Sequence, residues 1–374
     1  MSEPTTYASI NLGALQRNLA AIRQHTGRLV MLPVKANAYG HGLVPVAQAA
    51  IDGGWADWLG VATVSEGVAL REAGVLAPIL KLSGALPDET ETAVANDLRL
   101  AITDRQGVES AQKAAVRTHH KACVHLKIDT GMHRIGVVPS QAADMAELIE
   151  SQPDVELEGV FTHMAVADLP SQNEFTSMQL AVFREAVEAI TERLGRRPAL
   201  IHASNSAGVL AHPDSWWDMV RPGIISYGYY PDVTTPRSVA IEPVLSLVTH
   251  LTHVQTVPAF ETVGYGRTWE ASVDTRVGTF PVGYGDGYDR RLSNQTTVLI
   301  KGGRYPQVGR VCMDQSMVDL GPDSILDVGE RVTLIGNDGP ESISADDVAE
   351  ILGTISYEVL CTIANRVPRL YVSE

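Results

Sequence analysis

Leu29-Val30-Met31-Leu32-Pro33-Val34-Lys35-Ala36-Asn37-Ala38-Tyr39-Gly40-His41-Gly42 joins an apolar run to a lysine and a glycine-rich turn. A run this apolar fits a strand buried on both faces, the environment of a parallel sheet covered by helices. Lys35 then emerges where core gives way to loop. Desolvation at such a position favours the neutral amine, which attacks carbonyl groups. The plain alternative is a lysine whose stem lies along apolar surface while its ammonium reaches water.

The same pattern recurs outward from this stretch. After a first strand around Tyr7 to Ile10, Asn11 suits the N-cap of a helix whose Leu12, Leu15, Leu19 and Ile22 share one face. Apolar runs at Met31 to Val34, Trp58 to Val64, Ile79 to Leu82, Leu98 to Ile102, Ala122 to Ile128, Leu157 to Phe161, Ala199 to His202 and Met219 to Ile224 then alternate with helical patterns. After Pro170, Ser171 and Glu174 have capping-box spacing; Phe175, Met178, Val182, Ala186 and Ile190 share a face, and Gly195 ends the helix. Eight strand-helix units in about 230 residues match an N-terminal (β/α)8 TIM-type barrel. An open doubly wound sheet has the same periodicity.

The rhythm stops near Pro231 to Pro243, a linker by composition. Beyond it, Val244 to Val257, Asp274 to Val282, Thr296 to Ile300, Gln307 to Met313, Met317 to Leu320 and Arg331 to Ile335 read as strands, and only Ser344 to Leu352 as a helix. The expected division is a barrel over 11–235 and a mostly β C-terminal domain over 236–374, joined by the N-terminal strand within 1–10.

Of the 374 residues, 45% are hydrophobic and 20% charged, a globular composition, and the formal charge is -15. Such acidity, with scattered cations, opposes nonspecific nucleic-acid or anionic-membrane binding. Cys123, Cys312 and Cys361 form no CxxC pair and suit reduced thiols. The N-terminus lacks a basic region followed by an apolar stretch, and no run is long enough to span a bilayer, so the expected location is cytoplasmic.

In such barrels chemistry sits at the C-terminal ends of the strands, which selects Lys35, Arg134, His163, Ser206 and Arg221. The loops after strands seven and eight, His202-Ala-Ser-Asn205-Ser206-Ala-Gly208 and Arg221-Pro-Gly223-Ile224, suit a phosphate: a serine hydroxyl and main-chain N–H groups, with no cation needed. Asn-Ser and Pro-Gly are also ordinary turn dipeptides. A strand-end lysine opposite a phosphate cradle suggests pyridoxal 5'-phosphate. Arg221 is placed for the pyridine nitrogen, to which an arginine only donates a hydrogen bond.

Val34-Lys35-Ala-Asn-Ala-Tyr39-Gly-His-Gly42 resembles the cofactor-lysine motif of alanine racemases, and His125-Leu-Lys127-Ile-Asp129-Thr-Gly-Met-His133-Arg134-Ile-Gly136 their substrate-arginine segment. The likeness continues through Val263-Gly-Tyr265-Gly-Arg267-Thr268, Gly283-Tyr284-Gly-Asp-Gly287, Gly309-Arg310-Val-Cys-Met313-Asp314-Gln315 and Tyr357-Glu358-Val-Leu-Cys-Thr-Ile, in order along the chain. The resemblance implies a racemase interconverting L-alanine and D-alanine, which supplies D-alanine for peptidoglycan. Lys35 would form the internal aldimine. Tyr39, Ser206, Gly223, Ile224 and Tyr357 would surround the phosphate, and Arg221 would face the ring nitrogen. His163 would bond to Arg221 and to Tyr265 of a neighbouring subunit. Arg134 and the main chain at Met313 would receive the substrate carboxylate, and Tyr284 would line the entrance. Lys35 and Tyr265 would be the two bases, on opposite faces of the substrate. A homodimer with shared sites is implied, as is carbamylation of Lys127, whose alternative is a salt bridge to Asp129.

His133 stands where the family usually has glycine and Asn365 where tyrosine is common, departures that bear on carboxylate geometry and the entrance. Retention of Tyr357 favours a small side chain. A serine or broad-specificity racemase of the same fold is the alternative substrate reading; a decarboxylase on a related architecture should place an acid at Arg221. Gly283 to Gly287 does not complete a dinucleotide fingerprint, and neither His41 nor His119 and His120 have partners spaced for metal.

Overall fold

The computed structural model describes residues 4–373; residues 1–3 of the expected N-terminal segment, and residue 374, lie outside the described residues. The chain divides into two units, each described by itself. One comprises Leu15–Ala38 and Leu43–Glu242; the other comprises the N-terminal stretch to Ala14, Tyr39–Gly42 and the chain from Pro243 onward. These limits differ from the expected division by a few residues and by the short excursion Tyr39–Gly42.

In the first unit eight parallel strands follow one another in space: Leu29–Pro33, Trp58–Val61, Ile79–Lys81, Leu98–Ile102, Ala122–Lys127, Val155–Phe161 and Leu200–His202, with Met219–Val220 returning beside Leu29–Pro33. Strand order alone leaves a gap between the seventh and eighth. Main-chain bonds fill it, Asp218 N–H to Ile201 O at 3.1 Å and Arg221 N–H to Ser204 O at 3.0 Å. The sheet is thus a closed barrel, and the open-sheet alternative falls away. Closure explains the sequence pattern, since strands such as Trp58–Val61 and Ile79–Lys81 are buried at every position.

The helix after Pro170 corrects the expected face. Pro170–Gln172 is a 3-10 turn, and the helix proper is Asn173–Leu194, with Gln172 at the N-cap making no side-chain cap bond; Ser171 and Glu174 form no capping box. Gly195 ends it in the left-handed conformation, as expected. The buried stripe is Thr176, Gln179, Leu180, Phe183, Ala186, Val187 and Ile190. Met178 lies exposed. Ala186 and Ile190 are buried as expected and Phe175 and Val182 are half-buried; an apolar-only count reached Met178 because it skipped the buried amide of Gln179.

The second unit is built on a ten-stranded sheet. Its spatial order is His253–Val257, Thr275–Phe280, Ser316–Gly321, Gly303–Val308, Thr297–Ile300, Arg331–Asp338, Leu245–His250, Tyr7–Asn11 and Arg369–Val372, with Glu341–Ile343 paired to Arg331–Asp338. Tyr7–Asn11 runs antiparallel to Leu245–His250 and parallel to Arg369–Val372. The single run expected over Val244 to Val257 is two strands that pair with different neighbours. The strand expected over Gln307 to Met313 is Gly303–Val308, ending where Gly309 turns to φ +71°. A second helix, Ser356–Thr362, follows Ala345–Leu352; its seven residues are too short to show a helical period.

The face of Asn173–Leu194 is directly testable. Phe183 is fully buried and packs edge-on against Trp217. Phe183→Ala should cost about 3–5 kcal/mol in denaturant unfolding, and Met178→Ala less than about 1 kcal/mol. The reverse order would restore the face expected from apolar spacing.

Candidate active site

Lys35 stands directly after the first barrel strand and is half-buried. The glycine-rich turn expected after it is more unusual than the sequence suggested. Ala36, Asn37, Ala38 and Tyr39 have φ of 52°, 56°, 53° and 53°, a left-handed helical turn of L-residues. Each such residue costs about 1–2 kcal/mol, so the turn must be held by bonds. Glu66 accepts from Ala36 N–H at 2.7 Å with one carboxylate oxygen and from Ala62 and Thr63 N–H with the other. Asn37 accepts from Leu43 N–H at 2.8 Å. Glu66 escaped the sequence reading because its capping-box spacing with Thr63 accounts for it locally.

Arg221 follows the last barrel strand and is buried. Nη1 donates to His202 Nδ1 at 2.8 Å, and Nη2 donates to the carbonyls of Thr162 at 2.7 Å and Ala203 at 2.9 Å. His163 Nδ1 lies farther from Nη2, at 3.4 Å. The resemblance singled out His163, yet His202 is the closer imidazole; the sequence placed it only within the phosphate loop. Among the described residues no carboxylate pairs with Arg221, and burial brings its pKa down to about 9. The guanidinium still carries its charge at neutral pH. Burial and then that charge drive the pKa values of His163 and His202 well below the usual histidine value; Arg134, Lys127 and Lys35 push His163 further the same way. His163 is also fixed through its main chain: Gln179 donates to His163 O, accepts from Ala165 N–H, and reaches Thr130.

Ser206 Oγ accepts from Gly223 N–H at 2.9 Å, so the two loops expected to hold a phosphate meet. Accepting that bond leaves the Ser206 hydroxyl proton able to donate. Ile224 opens a 3-10 turn, Ile224–Tyr227, and its N–H has no earlier carbonyl within that turn.

Lys127 ends the fifth barrel strand, 2% exposed, and donates to Ile128 O at 2.7 Å. The alternative, a salt bridge from Lys127 to Asp129, is not formed among the described residues: Asp129 accepts instead from Gly131 N–H, His133 N–H and the His133 ring. Burial first, and then the charges of Arg221 and Arg134, bring Lys127 down to about 7. His133 adopts φ 53°, which gives a physical reason for the family's glycine there. Arg134, one residue on, is exposed.

In the second unit Tyr284 N–H donates to Cys312 O at 3.0 Å and Gly285 N–H to Met313 O at 2.9 Å, so the Tyr284 turn and the Met313 segment are one element. A Cβ on Gly283 would stand 2.2 Å from Cys312 O, which requires glycine. Arg366, unnoticed in the sequence, ties this element together through Asp286 and Asp314, each at 2.7 Å. Tyr265 lies in a turn against the same segment, since a Cβ on Gly266 would be 3.0 Å from Arg310 Nε. Tyr265 is 72%, Met313 54% and Tyr284 43% exposed. Tyr39 and Tyr357 also meet in this unit, with ring centroids 6.1 Å apart, and burial holds the Tyr39 phenol far above its ordinary pKa.

Residues 10–231 match the family model described as alanine racemase, N-terminal domain, and 244–371 that of the C-terminal domain. The chain is 46% identical over 370 residues to an alanine racemase of Cutibacterium acnes, covering 99% of this chain and 98% of that protein. It is 44% identical to an alanine racemase of Symbiobacterium thermophilum, covering 99% and 97%. A solved alanine racemase of Clostridium difficile 630 superposes with a TM-score of 0.94 at 35% identity, covering 100% and 97%. One from Bacillus anthracis with bound L-Ala-P superposes at 0.92 and 36% identity, covering 100% and 96%.

The depressed pKa of Lys127 has a measurable sign. Between about 7 and 10.5 the unfolded chain binds a proton that the folded chain releases, so this group makes stability rise with pH across that window and adds no slope below it. Thr162 Oγ1 also donates to Ile128 O, which keeps that carbonyl satisfied without the amine. Lys127→Met, in buffer free of carbon dioxide, should therefore be more stable than the parent at neutral pH by on the order of a few kcal/mol. The gap should close towards pH 10.5; a gap independent of pH would contradict the shift.

Proposed function

The chain belongs to the alanine racemase family, and from that premise we propose that it interconverts L-alanine and D-alanine with pyridoxal 5'-phosphate in the barrel mouth and Lys35 and Tyr265 as the two proton-transferring groups. Membership makes it an isomerase acting on alanine; the cofactor, the residue roles and the assembly are the proposed parts.

The observation that carries the residue assignment is a buried Arg221 without a carboxylate partner in the same strand-end region as Lys35. The donor set fits the cofactor. Lys35 supplies the amine, and the Ser206 hydroxyl and the Ile224 N–H supply phosphate donors, while the Gly223 N–H holds Ser206 Oγ beside them; the resemblance adds the hydroxyls of Tyr39 and Tyr357. At neutral pH Arg221, still charged, supplies a donor rather than an acid-base pair for the ring nitrogen. When bound, the cofactor withdraws electrons from the substrate Cα and acidifies its C–H bond. Inversion then needs one group to remove a proton from one face while another delivers one to the opposite face. Lys35 Nζ serves the D-face and Tyr265 Oη the L-face. Arg134 and the main chain at Met313 hold the substrate carboxylate, with Tyr284 at the entrance. His163, kept neutral among cations, accepts a hydrogen bond more readily than it takes a proton.

The exposure of Tyr265, Tyr284 and Met313 in a single chain supports a homodimer in which the partner's β domain completes each site. Near pH 7 the amine of Lys127 is partly neutral and able to add to carbon dioxide, forming a carbamate with release of one proton. Such a carbamate would turn a cation beside Arg134 into an anion that orients it. D-alanine for peptidoglycan, made in the cytoplasm, is the role consistent with this activity. Among the described residues no helix is long and apolar enough to cross a membrane.

Wild-type protein with cofactor should convert L-alanine to a mixture of both enantiomers. Lys35→Ala should fail to retain the cofactor through gel filtration, whereas Tyr265→Ala should retain it and lose racemisation by about 10²–10⁴-fold. Absence of D-alanine with cofactor bound, or identical behaviour of the two variants, would contradict the reading. Bicarbonate should abolish the neutral-pH stability gap between Lys127→Met and the parent; persistence of that gap would argue against the carbamate.

A further inference from the structure

Arg221 is one end of a hydrogen-bond chain that runs deeper into the barrel. His202 Nε2 lies 2.8 Å from His125 Nδ1, and His125 Nε2 lies 3.3 Å from Glu158 Oε2. Both imidazoles are completely buried. Arg99 donates to the same carboxylate oxygen at 3.4 Å.

Donor chemistry gives this chain a direction. A guanidinium only donates, so His202 Nδ1 accepts and its proton sits on Nε2. That proton requires His125 Nδ1 to accept, which puts the His125 proton on Nε2, where only an acceptor such as a carboxylate can meet it. Both rings are then neutral, in agreement with burial lowering the pKa of each. Burial alone would raise the pKa of Glu158, but His125 and Arg99 outweigh it and hold the carboxyl below its usual range.

The backbone is shaped to this contact. On the strands Ala122–Lys127 and Val155–Phe161, Val124 pairs with Leu157 but His125 pairs with Gly159. Glu158 is the extra residue of a bulge, a device that re-aims a side chain. A Cβ on Gly159 would stand 2.5 Å from His125 Nδ1, the atom that receives the His202 proton. Glycine and bulge together leave room for the two rings to meet.

We infer that Glu158 is a positioning residue for Arg221, acting through His125 and His202: its carboxylate is the acceptor that closes the far end of the chain, and with the guanidinium at the other end it holds both rings as Nε2–H tautomers, so that His202 keeps a lone pair on the guanidinium. The catalytic consequence rests on Arg221 facing the cofactor, as proposed above; the tautomer pattern does not.

The test is histidine 15N NMR of the full-length, cofactor-loaded enzyme, with kinetics alongside. In the parent, both His125 and His202 should carry their proton on Nε2. Glu158→Leu, which leaves the His125 N–H without its acceptor, should mix the tautomers of both rings and lower kcat about tenfold with KM for alanine unchanged. Glu158→Gln keeps an acceptor oxygen in place and should restore both signatures. A proton on Nδ1 of either ring in the parent overturns the inference without any variant having to fold, as do unchanged tautomers in Glu158→Leu. An active racemase lacking the tautomer pattern defeats this inference alone; the pattern in a protein that makes no D-alanine defeats the reading of the site instead.

Discussion

Arg221 donates to one imidazole lone pair and to two carbonyl oxygens at the C-terminal end of the barrel. Burying a charge in this way is costly unless neutral acceptors replace the water it loses. The carbonyls of Thr162 and Ala203 come from residues just beyond strand ends, where the ladder no longer uses them. Phe161 adds a ring face 5.6 Å from the guanidinium carbon and stacks on His202 at 4.9 Å. A carboxylate would bind the cation more strongly but would also occupy the hydrogen-bonding capacity that a ligand nitrogen needs.

The ionisation states around the site follow first from burial and then from that cation and its charged neighbours. His163 and His202 lose their protons readily, and Lys127 is held near neutrality by burial and by two arginines. These cations make the strand-end region locally positive, although the whole chain carries a formal charge of -15. Local geometry overrides net charge here. The strained turn follows Lys35 directly: four left-handed residues leave it, and Glu66 and Asn37 hold them.

Much of this was legible in the sequence, for physical reasons that differ between elements. Eight doubly buried strands leave runs of apolar residues, so their existence could be read; closure rests on main-chain bonds at Asp218 and Arg221 and on the Asp218 carboxylate accepting from Ile201 N–H, a pairing that a lone aspartate does not announce. Lys35, Ser206 and Arg221 could be chosen because the barrel architecture names the strand ends. His202, Gln179, Glu66 and Glu158 could not, because each is a lone polar residue inside an otherwise explained pattern, and its role depends on partners distant in the chain. The Tyr284 turn carries an incomplete dinucleotide pattern and a family-like signature; its glycines are explained by the approach of Cys312, Met313, Thr362 and Arg366. Short elements such as Ser356–Thr362 carry too few residues to display a period.

The central proposal is that Arg221 would donate to the ring nitrogen of a bound cofactor and leave it unprotonated, which would limit the lifetime of negative charge at Cα and keep the chemistry to proton exchange. Its most direct measurement is the 15N resonance of ring-labelled pyridoxal phosphate bound to the enzyme, followed across the neutral pH range. The account predicts a nitrogen that stays unprotonated and hydrogen-bonded throughout. A protonated pyridinium at neutral pH would contradict it.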